Sequence, residues 1–286
     1  MAVGRISEIW RYPVKSMGGE QLQRCTLGER GIPGDRGWAV RDEQAGEVRG
    51  AKKLPALLLL GARYVAEPAG ERIPPAEITF PDGTRVRSDA PEAATRLSAL
   101  LGRPVTLWPL RPADDLEHYR RGLPDHADLE TELREVFGRL PDEPLPDLSI
   151  FPQELFIYTS LPGTYFDALP VHLLTTASLR ALGHANPSSR FDRRRFRPNF
   201  LIEPEGGAEG LVEAAWCGTL LRVGGATVKV EMGTARCSMT TQPQGDLPKD
   251  PGVLRTVVRH AAQNVGVYAS VVAAGPVAVG DAVAAA

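Results

Sequence analysis

Residues 227–242 read TVKVEMGTARCSMTTQ. Val228, Val230 and Met232 alternate with polar residues and stop at Gly233, so the stretch is a strand with one buried face. A small polar loop follows, Thr234-Ala235-Arg236-Cys237-Ser238, with Thr240 and Thr241 behind it. The strand ends by handing a cysteine to a loop. A structural cysteine sits inside an apolar run, whereas Cys237 has an arginine beside it and hydroxyls on both sides. A neighbouring cation favours the thiolate, the form that attacks electrophiles and binds soft metals. Cys237 is expected to be an accessible thiol with a chemical use.

The rest of the chain bounds that use. Its 286 residues are 43% hydrophobic and 24% charged, ordinary values for a globular protein with a core of good size. A formal net charge of −2 argues against a general nucleic-acid or membrane-surface binder. No apolar run approaches the roughly 20 residues that span a bilayer, and the N-terminal residues lack the apolar core of a signal peptide. A cytoplasmic protein is expected. Cysteines at 25, 217 and 237 make neither a disulfide framework nor a CxxC metal pattern. Cys25 and Cys217 lie in strand-like surroundings and are expected in the core. The histidines at 118, 126, 172, 184 and 260 have no HxH or HExxH context, and His172 reads as structural.

Outward from the cysteine strand, Gly224-Gly225 joins it to a strand over 219–223. Strands are also expected over 171–174 and 200–203. Helices are expected from Thr175 or Thr176 to Leu182, stopped by Gly183, and from Asp250-Pro251 onward, stopped by Gly266. A final hairpin is expected from 268–272 and 276–279. The first 110 residues read as short strands at 3–12, 22–27, 38–41, 57–65, 77–80 and 84–87, with a turn at Pro81-Asp82-Gly83. One helix begins at Pro91 and ends at Gly102. Residues 111–165 are rich in Pro, Asp and Glu, with a helical face at Leu129, Leu133, Val136 and Phe137 closed by Gly138. They read as a solvated insertion or connector without a catalytic part. The fold class is mostly β with some α, in segments 1–110, 111–165 and 166–286.

Three further stretches could carry chemistry. Tyr12-Pro13-Val14-Lys15-Ser16 ends the first strand, where Lys15 is either solvated or a point charge for an anion. Gly34-Asp35-Arg36 is either a turn with a surface arginine or a rigid turn aiming a guanidinium at phosphate oxygens. Arg193-Arg194-Arg195-Phe196-Arg197-Pro198-Asn199 leads into a strand, and alternation would put Arg197 and Asn199 on one side.

Taken together and in order, YPVKS, GDR, LLTTASL, RFRPN, ARCSMTT and the closing VGDAV resemble the MOSC family, named after the molybdenum cofactor sulfurase C-terminal domain, preceded by that family's N-terminal β-barrel domain. The resemblance spans almost the whole chain and is closest to the mitochondrial amidoxime-reducing components and their bacterial counterparts. It implies a MOSC N-terminal β-barrel domain followed by a MOSC β-barrel domain with a few helices. It also implies a bound molybdenum cofactor, a pterin dithiolene carrying a phosphate, with Cys237 as catalytic metal ligand. Lys15, Ser16, Arg36, Arg197, Asn199 and Thr234 match the family's cofactor contacts. So does the cluster Thr175, Thr176 and Ser178, without distinction among its members, and Arg236, which adjoins the ligand, is expected to bind the cofactor as well. The activity implied is reduction of N-hydroxylated small molecules such as amidoximes, hydroxylamines and N-hydroxylated bases. No iron–sulfur cluster and no pyridoxal phosphate are expected in this chain, so electrons would come from a separate flavin/iron–sulfur or cytochrome-type protein. No nucleic-acid or membrane partner is expected. The alternative reading is a non-enzymatic carrier of the cofactor, or of sulfur as a Cys237 persulfide.

Overall fold

A computed structural model describes residues 2–69 and 72–286. The strand that opens the sequence reading, Ala226–Ala235, lies in a closed seven-stranded barrel. Around it the order is Ala226–Ala235, Leu220–Val223, Ala282–Ala285, Ala2–Arg11, Phe200–Pro204, Val171–Thr175 and Asn264–Ala273. Pairing of Ala2–Arg11 with Phe200–Pro204 closes the ring, so both ends of the chain build it. Only Val171–Thr175 and Phe200–Pro204 run parallel among these seven. A parallel pair needs a crossover, which the helix Thr176–Ala185 and the turn Arg193–Phe196 supply. The alternation places Val228 and Val230 inside with Ile6, Ile9, Leu173, Val267 and Val283, each at most 1% exposed.

A second core lies beside the barrel. The sheet of Trp38–Asp42, Glu47–Val48 and Val105–Pro109 and the sheet of Gly61–Tyr64, Ala76–Thr79 and Arg85–Arg87 enclose Val14, Met17, Leu57 and Ile78. Helix Pro91–Leu101 covers it with Ala93 and Leu97, and Gly102 ends that helix in the left-handed conformation, as its position suggests. With 33% strand and 24% helix, the fold is mostly β with α. Segment 12–18 ties the two cores: it leaves the barrel and sends Val14 and Met17 into the second core.

Several local expectations are corrected. Residues 55–59 form a 3-10 helix, and the strand begins only at Gly61. Pro55 suits a helix start, and a run of leucines carries no periodicity that separates strand from helix. Residues 22–27 split into Glu20–Leu22 and Arg24–Leu27, which pair with different strands. Gly183 does not stop its helix, which continues to Ala185; a lone glycine in a helix costs only about 1 kcal/mol. Nor does Gly266 stop the helix Pro251–His260. It lies in the strand Asn264–Ala273 at φ 76°, where a Cβ would overlap the His172 ring. The final hairpin does not form. Gly275–Ala278 pairs with Arg24–Leu27, and Asn264–Ala273 is held on both edges by barrel neighbours. The cysteine strand runs on past Gly233 to Ala235 because Asn264–Ala273 keeps pairing with it there. Cys217 is exposed and not core, whereas Cys25 is half-buried and packs against the barrel core.

Candidate functional site

Lys15 sits in the link between the cores with its neighbours Val14 and Met17 buried in the second core. Its ammonium, 7% exposed, donates to the Tyr165 carbonyl at 2.7 Å and to Asp167 Oδ1 at 3.0 Å. Burial lowers its pKa. Ser16 has φ 68°, and its Oγ accepts the Ala51 N–H at 2.9 Å. Arg36 has φ 52°, pairs with Asp35, and stands 5.0 Å from the centre of the Tyr12 ring. Arg197 has φ 57° and its guanidinium lies 4.1 Å from the same ring.

Ser16, Arg36 and Arg197 are three of the five non-glycine residues with positive φ among the described residues. Such conformations cost about 1–3 kcal/mol each and persist where the surroundings hold them, typically at functional sites. The expected alternation through 196–200 fails for the same reason. Arg193–Phe196 is a helical turn capped by Asp192, and a left-handed Arg197 breaks the two-residue repeat. Asn199 still reaches this neighbourhood, but its amide is engaged: Nδ2 donates to Asp35 Oδ2 and the Trp10 carbonyl, and Oδ1 accepts the His172 N–H.

Two residues that sequence reasoning missed complete a charged cluster. Asp167 keeps 40% of its side chain in contact with solvent. Burial works against its carboxylate, yet Lys15, Lys52 and Arg36 hold its pKa far below the usual carboxylate range. Lys52 makes no hydrogen bond or ion pair among the described residues. Burial works against its charge, but Asp167, Cys237 and Tyr268 raise its pKa. Five cations (Lys15, Lys52, Arg36, Arg197 and Arg236) act here on three carboxylates, Asp35, Asp167 and Glu213. The only sequence signal for Asp167 is a lone acid in the apolar run before a barrel strand; for Lys52 it is a lysine following Gly50-Ala51.

Cys237 is buried, at 8% exposure, which corrects the accessible thiol expected from its polar neighbours. It packs against Ala51, Leu58 and Met239, which come from the second core's edge and from its own loop. Arg236 is turned to the backbone: Nε donates to the Val265 carbonyl at 2.9 Å and Nη1 to Phe196 at 3.0 Å. Its Nη2 meets His172 Nε2 at 2.6 Å, while His172 Nδ1 lies 3.2 Å from the Arg197 carbonyl. Both bonds form together only when Nδ1 carries the proton and Nε2 accepts. Burial, and then Arg236, hold the His172 pKa well below its ordinary value, so the ring is neutral. It joins the two arginine loops without adding charge.

Four buried side-chain polar atoms lack a hydrogen-bond partner among the described residues, and two of them lie here: Arg197 Nη2 and Thr234 Oγ1, in residues 5% and 1% exposed. Arg197 Nη1 is satisfied by the Met17 carbonyl at 2.5 Å, and burial lowers the guanidinium pKa to about 10. A buried donor left unpaired costs about 1–3 kcal/mol.

The hydroxyls at the start of helix Thr176–Ala185 are in the opposite condition. Thr175 caps the helix and donates to Glu213 Oε2 at 2.6 Å, Ser178 donates to Glu213 at 2.6 Å, and Thr176 donates to Glu203. Glu213, 1% exposed, also accepts the Gly266 N–H at 3.2 Å. The anion favoured by this helix N-terminus is the chain's own carboxylate. No local signal reveals it, because Glu213 lies in the 3-10 helix Val212–Trp216, 38 residues from Thr175.

The family described as MOSC N-terminal beta barrel domain matches residues 3–98, and that described as MOSC domain matches residues 162–284. The chain belongs to the MOSC family. MOSC domains are associated with molybdenum cofactor-binding proteins and linked to molybdenum cofactor enzymes. The MOSC chain is similar to the crystal structure of the YUAD protein from Bacillus subtilis at 12% identity and a TM-score of 0.42, over 98% of this chain and 94% of that one. It is also similar to YiiM from Geobacillus stearothermophilus at 14% identity and a TM-score of 0.30, over 41% of this chain and 54% of that one. No curated protein matches it.

The residues of this MOSC chain fit the cofactor. An excess of buried positive charge and an unpaired guanidinium N–H suit a phosphate, and a thiol suits a soft metal. A separate grouping, His126 with Glu132 and Glu135, has ligand atoms within 4.8 Å of one another, but Lys53 lies 2.8 Å from Glu132 and already balances it. No helix among the described residues is long and apolar enough to cross a membrane.

Proposed function

We propose that this MOSC protein holds a molybdenum cofactor at the charged cluster between the two cores and reduces N-hydroxylated small molecules with electrons from a separate donor protein. The observation that carries the reading is the buried, unpaired Nη2 of Arg197 among cations that outnumber their carboxylates. Arg197, Arg36 and Lys15 would hold the phosphate and pterin, with Lys52 beside them, and Cys237 would ligate the metal. When bound, the cofactor supplies two-electron redox chemistry. Thr234 offers one more hydroxyl, three residues before the ligand. Asn199 acts through Asp35, which it shares with Arg36.

Reduction of an N–O bond consumes protons, and the chain limits where they come from. Asp167 stays ionised far below neutral pH, so it orients cations and does not donate. Lys52 Nζ and the Tyr268 phenol, both with raised pKa, keep their protons at pH 7 in the cluster. The donor protein is of the flavin/iron–sulfur or cytochrome type, and the substrate class is amidoximes, hydroxylamines and N-hydroxylated bases.

The test is elemental analysis of the purified protein, followed by N-reduction with a supplied flavin–iron–sulfur donor. Stoichiometric molybdenum and turnover, both lost in Cys237→Ala while circular dichroism is unchanged, are the expected results. Metal-free protein with a cyanide-labile sulfur on Cys237 would overturn the proposal and identify a sulfur carrier.

A further inference from the structure

Cys237 is gripped from a part of the chain whose composition reads as a solvated cover. Helix Leu129–Phe137 ends at Gly138, and the chain there turns onto the cysteine loop. Ser238 Oγ donates to the Val136 carbonyl at 3.0 Å, immediately after the cysteine. Arg139 Nη2 donates to the Arg236 carbonyl at 3.0 Å, immediately before it. The same guanidinium donates to Gln263 Oε1 through Nε at 3.0 Å and Nη2 at 2.9 Å, and the Gln263 carbonyl accepts the Arg236 N–H at 2.9 Å. Phe137 packs on the cluster that contains Cys237. A Cβ on Gly138 would lie 3.2 Å from Ser238 Cα, so the two backbones touch.

Arg139 is 6% exposed and makes no ion pair among the described residues. A buried guanidinium that serves only neutral acceptors is costly to keep; one acceptor is the Phe137 carbonyl at the end of the preceding helix, at 2.6 Å, and the other two are the loop carbonyl and the amide that hold the peptide of Cys237. Gln263 itself is in the left-handed region at φ 68°. Strain and a desolvated charge thus converge on one peptide unit.

We infer that Arg139 is a positioning residue that locks the 236–237 peptide and so holds the Cys237 thiol against Ala51 and Leu58. The inference rests on the reading of Cys237 as metal ligand for its purpose, but its geometry is testable without metal. The experiment is the rate of Cys237 alkylation by iodoacetamide in cofactor-free protein, read peptide by peptide so that Cys25 and Cys217 do not interfere. Loss of a hydrogen bond to a charged group promotes local opening, so Arg139→Ala should raise the Cys237 rate roughly tenfold or more. Arg139→Lys, which keeps a donor for the Arg236 carbonyl, should return it toward wild type. Leu221→Ala in the barrel core, outside the cluster that covers Cys237, serves as a destabilised control and should leave the Cys237 rate low. An unchanged rate in Arg139→Ala, or an equal rise in Leu221→Ala, overturns the inference. Molybdenum content of wild type tests the cofactor reading separately, so either proposal can fail while the other stands.

Discussion

The charged cluster at Arg197 and the N-terminus of helix Thr176–Ala185 offer similar chemistry, buried donors that suit an anion. They differ in whether those donors are already satisfied. Glu213 takes the Thr175 and Ser178 hydroxyls and the Gly266 N–H, so an incoming anion would have to displace a carboxylate fixed in the chain. In the cluster, Arg197 Nη2 has no acceptor and Lys52 no partner among the described residues. The first arrangement stabilises the fold; the second leaves free energy to be gained on binding. Residue type does not distinguish them, but hydrogen-bond completion does.

The largest effect should separate the two regions by stability. Glu213→Leu takes the main acceptor from three buried donors, at about 1–3 kcal/mol for each left unpaired, so up to roughly 9 kcal/mol of unfolding free energy should disappear in urea titrations, less where Thr175 and Ser178 turn to each other or to the Gly210 carbonyl. Should the variant instead melt like wild type, the comparison breaks. The reciprocal variant is Arg197→Met. Removing a buried partner of a bound phosphate should weaken cofactor retention by about 2 kcal/mol or more, some 30-fold, measured as molybdenum per chain after dialysis. Its urea midpoint without cofactor should move little, because a desolvated cation departs along with the Met17 bond.

Acid should be felt first at two buried histidines, His172 beside the arginine loops and His118 against Tyr165. Burial holds both His172 and His118 below their ordinary pKa of about 6.5, so the unfolded chain binds more protons as pH falls past that value. The stability they contribute is complete above about pH 6.5 and declines as pH drops toward their folded values, by up to about 1.4 kcal/mol per pH unit for each ring. Urea midpoints compared between pH 7.5 and 5.5 should show the slope, and His172→Gln should reduce it without abolishing it. A His172→Gln variant with the full wild-type slope would place the acid sensitivity outside the arginine loops.

Much of the fold was legible in local chemistry. Alternation at Val228 and Val230, the Gly224-Gly225 turn, the Thr175 and Asp250 caps and the Pro91–Gly102 helix each depend on residues a few positions apart. The same holds for the motifs that located Lys15, Arg36, Arg197 and Cys237. The misreadings came where no local signal arbitrates: a leucine run, a glycine required by a distant histidine, and a strand claimed by a distant partner. Burial of Cys237 belongs with these, since Ala51 and Leu58 cover it from nearly two hundred residues away in sequence.

The amino-acid sequence by itself determined the strand-to-loop delivery of a cysteine, the set of basic residues and the family to which they belong. Tertiary structure alone decided which donors remain unpaired, which acid and lysine join the cluster, and that the connector grips the cysteine loop. The reason is physical. Arg139 reaches the Arg236 carbonyl across 97 residues and Arg197 reaches Met17 across 180, and whether a polar atom is satisfied depends on partners that only the closed fold brings within reach.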